Sequence, residues 1–86
     1  MRVLYSQWVP TVLRNGPYRF FFYSSDRGEA PHIHVERDRQ LAKFWLTPVR
    51  LQESVGFRAP ELLRIEQLVA ENLDELLGAW DGFFGD

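Results

Sequence analysis

The hydrophobic pattern of this chain changes period once, at Ala59, and that change limits what it can fold into. Upstream, apolar residues come in short alternating or fully apolar runs, the signature of strands. Downstream, Leu62, Ile65, Val69, Leu73, Leu76 and Trp80 recur every three or four residues and make one stripe, widened by Leu63, Leu68 and Leu77. Arg64, Gln67, Glu71, Asp74 and Glu75 occupy the opposite face. The stripe needs a surface to cover, and a sheet needs cover. The expectation is an α+β domain, a small antiparallel sheet of about three to five strands with one C-terminal amphipathic helix packed on one face. With 86 residues there is room for a single domain, 1–86.

The strands are punctuated by turn residues. Residues 2–9 read as a short strand or a loose arm, and Pro10 separates them from a short β-prone piece, Thr11 to Arg14. Asn15-Gly16-Pro17 is a turn signal. Tyr18 to Ser24 is aromatic on both faces, so this strand should be central and covered on both sides. A polar loop, Ser25 to Pro31, leads into His32 to Glu36, where Ile33 and Val35 point one way and His32, His34 and Glu36 the other. Leu41 to Leu46 returns, with Ala42, Phe44 and Leu46 on one face, and Pro48 ends it. Val49 to Glu53 is a candidate edge strand. Pro60 and Glu61 suit the first turn of the helix. Gly78 should fray its end, leaving Phe83 and Phe84 in a tail that folds back.

Composition closes several routes. With no cysteine, disulfides, thiolate metal sites and cysteine nucleophiles are excluded. No apolar run reaches the roughly 18 residues that span a bilayer, and the first residues do not form a secretion signal, so no membrane role and a cytoplasmic location are expected. Charge is uneven: residues 1–58 hold nine basic and five acidic residues, whereas residues 59–86 hold Arg64 against seven acidic ones. A basic sheet can attract an acidic helix within one fold, or present Arg19, Arg37, Arg39, Lys43 and Arg50, with Trp45 for stacking, to an anionic partner such as RNA.

His32 and His34, the only histidines, stand two apart on one strand face. If residues 37–40 form a four-residue hairpin loop, His34 lies opposite Lys43 and His32 opposite Trp45, with Asp26 and Glu29 in the loop before. Three readings stay open. One is structural, with His32 stacked on Trp45 and His34 bonding a loop carbonyl. The second is a metal-free ribonuclease site in which His32, His34 and Lys43 are catalytic. The third is a metal centre with Asp26 or Glu36 as a further ligand, the basis of a metal-dependent hydrolase. The strand supplies only two good ligands and Lys43 repels a cation, so no bound metal is expected, and no other cofactor has a motif here.

Five segments together resemble a known family: Pro10-Thr11-Val12-Leu13, Tyr18 to Ser24, Pro31-His32-Ile33-His34-Val35, Ala42 to Leu46, and the helix ending Ala79-Trp80. In order and spacing, across about residues 10–85, they resemble the small bacterial proteins called domain of unknown function 4160. Residues 1–9 look like an extension to that core, and Arg58 stands where relatives tend to carry a helix-capping serine. The resemblance carries over no catalytic residue. It implies a gene setting beside a second small protein and a toxin–antitoxin-like pair. The expected function is therefore an interaction module that binds a small partner protein encoded nearby, with RNA and a second copy of the chain as further candidates. A ribonuclease-type toxin and a metal-dependent hydrolase are the alternatives.

Overall fold

The computed structural model describes residues 9–85, so the arm expected over residues 2–9 lies almost wholly outside the described residues. Five strands form one antiparallel meander in chain order: β1 (Thr11–Asn15), β2 (Tyr18–Phe21), β3 (His32–Arg37), β4 (Gln40–Leu46) and β5 (Val49–Val55). Each connection is the one its turn residues favour. Asn15 pairs with Tyr18, leaving Gly16-Pro17 as the turn, with Gly16 at φ 59° where a side chain would be strained. Thr47-Pro48, joined by a cis peptide bond, turns between Leu46 and Val49. The turn after β3 is tighter than expected: Arg37 itself pairs with Gln40, leaving only Asp38-Arg39, with Asp38 at φ 56°. The register is the expected one, because a loop of four and a loop of two closed by one further pair align the same residues. Glu36 faces Leu41, His34 faces Lys43 and His32 faces Trp45.

The aromatic strand is interior rather than central, second in order between β1 and β3. It is covered on both faces, with Phe20 and Phe21 both buried. One face of the sheet carries Phe20, Ile33, Val35, Ala42, Phe44 and Leu46, and this face joins Ile65, Val69 and Leu76 in the core.

Where one helix was expected there are two, α1 (Ala59–Glu71) and α2 (Leu73–Phe84). The break is local chemistry at Asn72. Its backbone N–H is shared between the carbonyls of Leu68 and Val69, and its side-chain amide donates to the Leu68 carbonyl at 2.8 Å. Asparagine thus offers the backbone an alternative to the helical ladder, and its φ/ψ of −110°/20° leave the helical basin. The apolar stripe runs on across the break, which is why periodicity alone does not reveal it. The tail also differs. Gly78 does not end the helix, and Phe84 is buried against Phe22 and Trp80, so aromatic packing outweighs the glycine's cost of about 1 kcal/mol. Arg58 caps α1 with its backbone alone: its carbonyl accepts from Glu61 and Leu62 and its side chain makes no cap bond.

Among the described residues no helix is long and apolar enough to cross a membrane.

Candidate functional site

The sheet face opposite Val35 and Phe44 carries the histidines. Strand alternation puts Phe21, His34 and Lys43 in one row across β2, β3 and β4, and Lys43 pairs onward with Glu53 of β5. The loop between β2 and β3 folds over this row through a 3₁₀ turn, Ser24–Asp26. Asp26 fixes that turn: its carboxylate accepts the Tyr23 backbone N–H at 2.9 Å, and its own N–H donates to the Tyr23 carbonyl.

The result is a buried cluster instead of the surface patch expected. His32 is 0% exposed, His34 9% and Asp26 7%. One oxygen, Asp26 Oδ2, lies 3.0 Å from His32 Nε2 and 3.3 Å from His34 Nε2. The second approach makes a hydrogen bond, whereas the first fails on geometry and leaves His32 Nε2 buried without a hydrogen-bond partner. His32 Nδ1 is bound elsewhere, donating to the Ala30 carbonyl at 2.9 Å. The loop-carbonyl bond expected of His34 therefore belongs to His32. Its ring meets Trp45 edge-on at 5.7 Å rather than stacking, and lies 5.0 Å from Trp80 of α2. His34 stacks on Phe21 and meets the edge of Tyr23. Burial among these rings lowers the His34 pKa, the nearby Asp26 carboxylate opposes that shift, and His32 and Lys43 add to it.

Lys43 is near His34 by register, but its ammonium is engaged. It donates to Glu29 Oε1 at 2.9 Å and sits 4.8 Å over Trp45. A cavity of about 180 Å³ adjoins His34 and Lys43, lined also by Tyr23, Leu41, Glu53 and Val55. Glu36, the alternative carboxylate ligand, is instead held by Arg19 at 3.4 Å.

The basic residues do not form one surface. Arg19, Lys43, Trp45 and Arg50 share the histidine face by register. Arg37 lies on the helix face, where Nε and Nη2 clamp both oxygens of Glu61 at 2.6 and 2.8 Å, and Arg39 is in the β3–β4 turn. This clamp links the basic sheet to the acidic helical segment. Tyr18 completes it by donating to Glu61 at 2.7 Å. Arg37 and Tyr18 together hold the Glu61 carboxyl down to about 2, from an ordinary 4.5. Because the folded value is depressed, the clamp's contribution is whole above pH 4.5 and lost as pH falls towards 2. Glu61→Gln should therefore melt below wild type at neutral pH, with the gap narrowing across that window. A gap that stays constant down to pH 2 would contradict the assignment.

The clamp and the Trp80 contact have no local signature, since each joins residues at least 24 positions apart. The signal for the first was Glu61 beside Pro60 in a first helical turn; the second had none beyond Trp80 ending the stripe.

Fold and site together define a small α+β domain, a five-stranded meander with a packed helix pair and a buried carboxylate–imidazole cluster. A family model described as Domain of unknown function (DUF4160) matches residues 18–81, from the start of β2 to within α2, and the chain belongs to that family. No curated protein and no solved structure matches the chain.

Proposed function

We propose that this domain is an interaction module, one component of a toxin–antitoxin-like pair, and that the outer edge of β5 receives an extended segment of a small partner protein encoded beside it. The observation that supports this is the state of that edge. β5 is seven residues long, lies last in the strand order, and among the described residues pairs with β4 alone, while α1 packs against it. Natural sheets usually blunt such edges because unpaired N–H and C=O groups recruit further strands. Here Val55 is 68% exposed and Leu51 37%, on opposite faces of the edge, with Arg50 and Glu53 as charged neighbours. An added strand would find main-chain partners along β5, an apolar side chain on each face, and charges that set direction.

The ribonuclease reading has less support. His32 is fully buried and cannot reach a substrate, and Lys43 is neutralised by Glu29. RNA binding by Arg19, Lys43, Trp45 and Arg50 would have to work through a face on which two of the three charges, Arg19 and Lys43, are already paired.

Leu51→Lys/Val55→Lys puts two charges on the edge at positions that support little of the core. The double variant should weaken binding of the partner at least tenfold, measured by calorimetry with the purified neighbouring protein, while melting within a few degrees of wild type. Unchanged affinity would remove β5 as the docking edge. Loss of a homodimer in light scattering, with the partner unaffected, would assign the edge to a second copy instead.

A further inference from the structure

We infer that Asp26, His32 and His34 form a binding site for a divalent transition-metal ion that accepts imidazole and carboxylate ligands, of the zinc or iron(II) class. The three residues each offer one ligand atom, all within 4.8 Å of one another, and all three are buried. Two atoms bound to one ion at about 2.1 Å, at an angle between about 90° and 109°, stand roughly 3.0 to 3.4 Å apart. Asp26 Oδ2 is 3.0 Å from one imidazole nitrogen and 3.3 Å from the other.

The way the first contact fails as a hydrogen bond is informative. A hydrogen bond wants the acceptor near the axis of the ring nitrogen. Two ligands of a shared ion each lie about 35° to 45° off the other's axis, since both axes meet at the ion. A close but misaligned carboxylate oxygen beside a buried, unpartnered His32 Nε2 fits the second arrangement. Tautomer chemistry points the same way. His32 Nδ1 donates to the Ala30 carbonyl, so in the neutral ring Nε2 carries a lone pair, which would face a carboxylate lone pair with nothing between. A cation removes that repulsion.

The outer contacts are those that metal ligands usually have. A backbone carbonyl orients His32, the Tyr23 backbone N–H orients Asp26, and Phe21 and Tyr23 hold the His34 ring. Trp80 and Trp45 shield His32. The expected repulsion from Lys43 is offset, because Glu29 takes its charge at 2.9 Å. Three protein ligands leave at least one position for water, as hydrolytic sites require, and the cavity beside His34 gives a route to it. Of the two carboxylates considered as a further ligand, Asp26 and Glu36, it is Asp26 that joins the histidines, carried there by the loop that folds back over β3.

The test uses the untagged protein, stripped with a chelator and titrated with Zn²⁺ alone and with Co²⁺ alone. One equivalent should bind with a micromolar or tighter Kd and raise the melting temperature. Asp26→Asn and His34→Gln, which keep shape, should weaken binding by about 100-fold or more. If either fails to fold, the long-range ¹H–¹⁵N spectrum of the wild-type protein decides. Zinc should move the Nε2 resonances of His32 and His34 while His32 Nδ1 stays protonated. No binding in the wild type, binding untouched by both variants, or zinc-induced shifts elsewhere would each overturn the site.

Discussion

Val69→Asp should leave no folded protein at physiological temperature. Val69 lies at 0% exposure on α1, in the cluster that includes Ile65, Phe44 and Val35. The substitution removes a buried apolar side chain, worth about 1.5 to 3 kcal/mol, and places a carboxyl group where only hydrocarbon surrounds it. Even if the group neutralises itself by taking a proton, its unmet hydrogen bonds add a penalty of roughly 2 kcal/mol or more. Together these come to about 3.5 to 5 kcal/mol or more, and more again while the carboxyl stays ionised, against about 4 to 13 kcal/mol for the whole stability of a domain this size. Circular dichroism should show loss of the cooperative melt. A variant that melts within a few degrees of wild type would mean that α1 faces the sheet with some other side.

Phe44→Ala should destabilise by about 3 to 5 kcal/mol, because the site cannot collapse. Phe44 is 0% exposed on β4, an interior strand, paired with Ile33 on one side and Leu51 on the other, in the core shared with the helices. Its neighbours are strands fixed by ladder hydrogen bonds, so the void stays open. In a domain of under about 100 residues each kcal/mol moves the melting midpoint by about 4 to 8 °C, so a fall of roughly 12 °C or more is expected. A smaller fall, with the unfolding transition still cooperative, would place Phe44 at the rim of the core. The His face should be less costly to disturb at its outer positions: Trp45→Ala should melt much closer to wild type, as it is only partly buried.

What the sequence made legible was whatever local periodicity encodes. Ile33 and Val35 against His32 and His34 specify which face of β3 meets the helices, and the turn residues between strands specify register, so the pairing of His34 with Lys43 followed directly. Asn72 was not legible, because the stripe from Leu62 to Trp80 keeps its spacing through the break and only the asparagine's own hydrogen bonds reveal it. The candidate site was half legible. Its histidines follow from strand alternation, whereas their burial depends on the 3₁₀ turn that carries Asp26 over them and on Trp80 arriving from α2. Neither contact has a periodic signature. The basic residues illustrate the same limit: Arg37 and Lys43 look alike in sequence, yet β-alternation sends them to opposite faces, where Glu61 and Glu29 pair with them.

The family places the domain and the open edge of β5 suggests its use. Hydrogen–deuterium exchange of the chain, alone and with the proposed partner protein, tests that use most directly. Amide exchange should slow at least about tenfold along residues 49–55 in the complex, with little change in α1 and α2. Protection confined to the helices or to the loop over the histidines, with β5 exchanging as it does alone, would contradict it.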